Sequence, residues 1–90
     1  MGSRVEMSMI YIKEMFHDER WVSIRVDGIL DAESVKILKD VCDGHLEGEK
    51  KVQLHLESLL HISREGRDFL KEIQNKVLIV EPPQFIKKDL

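Results

Sequence analysis

A single cysteine, Cys42, excludes any disulfide within the chain, which fits a reducing compartment. Long hydrophobic runs are also missing. The longest aliphatic stretch is Val77-Leu78-Ile79-Val80, far short of the ~20 residues a membrane-spanning helix needs. The N-terminus has no apolar segment of the kind a signal peptide carries, so the sequence reads as cytoplasmic, with no direct membrane insertion. Basic residues do not dominate: 14 Lys and Arg stand against 17 Asp and Glu, mixed along the chain, for a net charge of −3. No basic stripe exists to neutralise phosphates, which argues against nucleic acid as a partner. Gly28 and Gly66 are isolated, so there is no glycine-rich phosphate loop. No internal repeat or low-complexity segment interrupts the chain.

What remains is ordinary for one small soluble domain. The 90 residues are 42% hydrophobic and 34% charged, enough for a modest core. Met1-Gly2-Ser3 reads as an expression remnant and Met7 or Met9 as the native start. Residues 1–8 are therefore expected as a remnant or flexible N-terminus, and 9–90 as a single domain.

Met9 to Phe16 reads as a strand with Ile10 and Ile12 on one face. His17-Asp18-Glu19-Arg20 is turn-like. Trp21 to Asp27 alternates, with Val22, Ile24 and Val26 on one side and Trp21, Ser23 and Arg25 on the other. Together these predict a β-hairpin, which Gly28 should end. Asp31 suits the N-cap of a helix over Ala32 to about Leu46, whose apolar stripe is Val35, Leu38, Val41 and Cys42. That spacing makes Cys42 a core thiol. Val52, Leu54 and Leu56 predict a third strand.

Ser58 to Ile62 reads as a connection, too apolar to lie free on the surface. Ser63 is placed to cap a second helix over about Arg64 to Gln74, with Phe69, Leu70 and Ile73 inward. Lys76 to Val80 predicts a central strand or one covered on both faces, which Pro82-Pro83 ends. Gln84 to Leu90 has room for two helical turns with Phe85, Ile86 and Leu90 docking, marginal unless packed. The expected fold is α/β: a mixed four-stranded sheet with two to three helices packed on one face.

Within that order, Leu54-His55-Leu56-Glu57-Ser58-Leu59-Leu60-His61-Ile62-Ser63-Arg64-Glu65-Gly66 resembles the central signature of STAS domains, the family of anti-sigma-factor antagonists. There an L-x-L strand leads through a short apolar connection to D-S-S-G or D-S/T-x-G at a helix start. Val26-Asp27-Gly28-Ile29-Leu30-Asp31 looks like the family's G-x-L-D element, and the resemblance runs from about Met9 to Pro83. It puts Ser63 at the family's Asp, Arg64 at its phosphorylatable Ser or Thr, Glu65 at the next Ser, and Gly66 at its Gly. The resemblance thus implies a STAS-like domain degenerate at the phosphorylation site. An arginine cannot accept phosphate, so the usual kinase-driven off switch should be missing at this position.

The resemblance implies a non-catalytic regulatory module that binds a protein partner: an anti-sigma factor with kinase activity, or another STAS-type protein. The expected partner-binding residues are Ser63, Arg64, Glu65, Gly66 and Asp31. A STAS-like structural subunit of a lipid-transport ABC complex is the alternative, and a weak homodimer is open. Read from its charge alone, Arg64 at a helix N-terminus opposes the macrodipole at a cost of ~0.3–1 kcal/mol. Either it serves an acidic partner or anion, or it is a solvated surface residue.

Trp21 and Arg25 are expected on the outward sheet face, where large amphipathic side chains suit a contact surface. Alternatively Trp21 packs under the N-terminal segment or the C-terminal tail. The four histidines, His17, His45, His55 and His61, match no zinc spacing, and neither a metal nor a cofactor is expected. His61 near Ser63 suggests a base beside a nucleophile, but nothing supplies an oxyanion hole, and capping accounts for Ser63. A role for Ser63 as a displaced phosphoacceptor stays open.

Overall fold

The computed structural model describes residues 4–7 and 10–87. β1 (Arg4–Met7), β2 (Ile10–Asp18) and β3 (Trp21–Leu30) form an antiparallel meander. α1 (Ala32–Glu47) crosses to β4 (Lys51–His55), which is followed by β5 (Leu59–Ile62), α2 (Arg64–Ile73), β6 (Leu78–Val80) and α3 (Gln84–Lys87). The sheet runs β1-β2-β3-β4-β6. β4 lies parallel to the first half of β3 and β5 to its second half, so the two are successive segments along one neighbour.

The alternating pattern sorts the two faces. Val22, Ile24 and Val26 of β3 stand beside Ile12 of β2 and beside Val52 and Leu54 of β4, all buried. α1 contributes Leu38 and Cys42 to this core, α2 contributes Phe69, Leu70 and Ile73, and α3 contributes Ile86. Burial and the nearby Asp43 and Glu14 carboxylates push the Cys42 thiol up to about 12. It is a neutral core group, as its helical spacing indicates.

At the far end of α1, His45 bonds Glu14 of β2, and both are about 14% exposed. The Phe16 ring meets the His45 ring edge-on at 5.6 Å, and the Lys50 ammonium lies 5.3 Å from the Phe16 centroid. This polar pair ties the hairpin to the helix where the apolar stripe of β2 gives out.

Among the described residues the sheet has six strand segments, not the expected four. Arg4–Met7 pair with β2, so this part of the stretch expected to be flexible is strand; residues 1–3, 8 and 9 lie outside the described residues. The second addition is β5, where a bare connection was expected. Leu59 and Ile62 are buried while Leu60 is 79% exposed. The segment meets the expectation of a covered apolar stretch at two of its three apolar positions, and Leu60 overturns it at the third. The register slips between Gly28 and Ile29, so Leu59 pairs Gly28 but His61 pairs Ile29, leaving Leu60 opposite no residue.

Gly28 therefore does not end β3. With φ at 96°, it lets the strand bulge and continue to Leu30. β6 is shorter than expected and lies at the sheet edge rather than the centre, pairing only β4 among the described residues. Val77 is buried ahead of it and Leu78 is exposed. The apolar run arises from this change of surroundings along the segment, not from cover on both faces. In α3, Ile86 docks but Phe85 remains 41% exposed, and Leu90 lies outside the described residues.

Candidate functional site: two helix starts at one end of the sheet

Leu30 ends β3, Ile62 ends β5, and the two are paired neighbours on parallel strands. The next residue of each chain segment, Asp31 or Ser63, caps a helix. Two helix N-termini consequently open side by side at the carboxyl end of the parallel strands, the end at which open α/β sheets commonly build sites. The Ser63 N–H donates to the Leu30 carbonyl at 2.9 Å, fastening one start to the other.

Asp31 accepts from the N–H groups of Glu33 (3.2 Å) and Ser34 (3.0 Å). Ser34 Oγ in turn accepts the Asp31 N–H at 2.8 Å, closing a reciprocal capping box. The Ser34 side chain is buried and also reaches the Ile29 carbonyl at 3.0 Å. These bonds, those from Ser34 first, hold the Asp31 carboxyl below the usual carboxylate range.

A carboxyl with a lowered folded-state pKa stabilises the fold above its unfolded pKa, and that contribution is lost as pH falls through the folded value. Asp31→Ala is therefore expected to lower the melting temperature at neutral pH. The gap to the unaltered chain should narrow steadily in acid, as thermal unfolding followed by circular dichroism would show. A constant gap across the titration would mean that the cap acts through shape alone.

At the second start, Ser63 Oγ accepts the Gly66 N–H at 3.2 Å. The Ser63 hydroxyl also bonds the Glu65 carboxylate. With the amide of Glu65 itself, that bond and nearby Arg64 keep the Glu65 carboxyl low, whereas Asp31 pushes it the other way. Arg64 and Glu65 are exposed, Ser63 and Asp31 half-buried, and Gly66 buried. The solvent-facing end thus carries Asp31, Glu33, Arg64 and Glu65 at the positive ends of two helices.

Gly66 makes the close approach of α2 to β3 possible. A Cβ there would lie 2.6 Å from the Leu30 carbonyl oxygen and 2.7 Å from Ile62 Cγ1. The structure brings Asp31 together with Ser63, Arg64, Glu65 and Gly66 at this end, and it leaves Leu60, which the sequence reads as covered, exposed three positions before Ser63. Its signal was concealed because apolar character alone does not reveal a bulge.

The two outward-face residues lie elsewhere. Trp21 and Arg25 belong to β3 strand positions facing away from the helices. Arg25 Nε donates to Asp27 at 2.9 Å and its Nη2 donates to Ser58 Oγ at 3.0 Å, bracing the β4–β5 connection. Trp21 is half-buried and stacked on the His17 ring at 4.0 Å between centroids. Its packing partner is thus the neighbouring strand, and it is less open than its alternating position suggested. His17 also bonds the buried Ser23 hydroxyl at 2.6 Å.

Among the described residues no three His, Cys, Asp or Glu side chains come together in a metal-binding group. No described helix is long and apolar enough to cross a membrane.

No family model matches the chain, and no curated protein is significantly similar to it in sequence. Five solved chains are significantly similar in structure. One is the anti-sigma factor antagonist SpoIIAA in its unphosphorylated form, with a TM-score of 0.70 and 16% identity over 87% of this chain and 76% of that one. The mixed sheet and three helices are those of the STAS fold that SpoIIAA exemplifies.

Proposed function

We propose that this chain is a non-catalytic regulatory module resembling an anti-sigma-factor antagonist, which docks a protein partner through the paired helix starts. The observation that carries the reading is the Leu30–Ile62 pairing, which sets Asp31 beside Ser63–Gly66 at one exposed end of a SpoIIAA-like fold. In the unaltered sequence Arg64 replaces the family's phosphate acceptor, and the adjacent Ser63 hydroxyl is engaged by Gly66 and Glu65. Docking is then constitutive, or controlled from the partner's side. Exposed Leu60 supplies the apolar anchor that a polar rim alone would lack.

The partner of first choice is an anti-sigma factor with kinase activity or another STAS-type protein, met in the cytoplasm. A structural place beside the ATPase of a lipid-transport ABC complex is the second reading. The lost acceptor at position 64 favours it, since such a place requires no phosphorylation.

The test is to titrate the purified chain against the product of each neighbouring gene, then to repeat the positive pair with variants. Arg64→Glu and Leu60→Asp should each weaken binding about tenfold or more, as for a central interface residue. Lys13→Glu, on exposed β2 away from the site, should leave it unchanged. An ATPase of a transporter as the binding product would select the second reading. Equal affinity for all three variants would remove the docking face.

A further inference from the structure

The opposite end of β3 borders a concavity. Trp21 opens that strand just as Leu30 closes it. Around Trp21, at the end of the sheet where β3 and β4 begin and with Val52 also in its lining, lies a hollow of about 620 Å³, within the ~300–1,000 Å³ usual for small-molecule sites. Its lining is uneven in charge: Arg20, Lys51 and Lys76 stand against Asp18 alone. Asp18 accepts the Arg20 N–H at 2.7 Å and keeps its charge, so the lining is left with an excess of positive charge. The three cations are exposed, and none has an ion-pair partner among the described residues.

The walls are amphipathic. Leu78 is 59% exposed on the edge strand β6, and Gln53 lies between it and β3. The indole Nε1 of Trp21 is shut off from solvent and has no acceptor among the described residues, an unusual condition for a buried donor. Its ring is held in place by the stack on His17, so the N–H is a positioned donor with nothing to give to.

We propose that this hollow binds a small organic carboxylate with an apolar body. The carboxylate would lie among Arg20, Lys51 and Lys76, beside the Trp21 ring. The body would rest on Leu78. Charge complementarity selects the anion, and the exposed leucine selects an apolar body over a plain inorganic ion. The site is independent of the docking end, so either can fail without the other.

Trp21 is the only tryptophan, so its indole N–H gives one assignable resonance in a ¹H–¹⁵N spectrum. Titration with naphthalene-1-carboxylate should move that resonance saturably, together with the amides of Lys51, Gln53 and Leu78, with a dissociation constant below about 1 mM. Naphthalene-1-methanol, which has the same body without the charge, should bind about tenfold more weakly. Raising the salt should weaken the carboxylate alone. Lys51→Gln combined with Lys76→Gln should cost about tenfold while the remaining spectrum stays that of the folded chain. Lack of saturation at millimolar carboxylate would overturn the proposal. So would equal binding of the alcohol, or shifts confined to Ser63–Gly66.

Discussion

Gly66→Ala should destabilise the fold, and Gly44→Ala should stabilise it. Both glycines lie in helices, α2 and α1 respectively, and each substitution gains about 0.5–1 kcal/mol from better helix propensity. The surroundings decide the sign. At Gly44 an added Cβ meets nothing within 4 Å, so the gain stands. At Gly66 it meets the Leu30 carbonyl oxygen at 2.6 Å and Ile62 Cγ1 at 2.7 Å.

The first obstacle is backbone, which cannot rotate away, and it is the carbonyl that accepts the Ser63 N–H. Overpacking of this kind costs about 1–3 kcal/mol and outweighs the propensity gain. The net loss is expected at about 1–2 kcal/mol, or about 4–8 °C in melting temperature per kcal/mol for a domain this size. Because α2 must shift outward from β3, Asp31 and Ser63 also separate, and partner affinity should fall beyond what the unfolded fraction explains. Urea titrations of both variants check the first claim. If Gly66→Ala melted at or above the unaltered protein, the tight junction would not exist.

That junction was legible in the sequence because local rules agree there. Asp31 and Ser63 are good caps followed by helical apolar spacing, and capping depends on neighbours within three residues. The alternation of Val22, Ile24 and Val26 gave β3 its faces for the same reason. Less was legible where the decisive partner is distant in sequence. Leu60 reads as buried unless the slip in pairing with β3 is known, and that slip originates at Gly28, more than a helix away.

The uninterrupted Val77–Val80 run looked central because its residues are uniformly apolar. Only the final position of β6 outside β4 shows that Leu78 faces solvent. Trp21 is the mixed case. Its outward direction follows from alternation, whereas its stacking on His17 depends on the bend of the intervening turn. The outline of the hollow beside it, drawn from β3, β4 and the approach to β6, had no counterpart in any single stretch of sequence.

Leu30→Ala should produce the largest single loss of stability, about 2–5 kcal/mol. Its side chain is wholly buried at the end of β3, beneath both helix starts, and a residue whose walls are held by backbone bonds leaves a cavity that collapses poorly. For a chain of this length total stability is only about 5–13 kcal/mol, so the variant loses a large share of it. Its coupling to Gly66 gives the sharper reading.

The methyl carbon introduced by Gly66→Ala would also lie 3.2 Å from Leu30 Cγ. Removing that Cγ relieves one of three close contacts and gives the new methyl space in the cavity. The Leu30→Ala/Gly66→Ala double variant should therefore lose less than the two single losses combined, by about 0.5–1 kcal/mol, within the range measured for residues in contact. Relief is only partial, since the Leu30 carbonyl and Ile62 remain in place. Denaturant midpoints for the four proteins of the cycle measure the coupling. Strict additivity would mean that the end of β3 and the first turn of α2 do not touch, and the spacing of Asp31 from Ser63 would then need another cause.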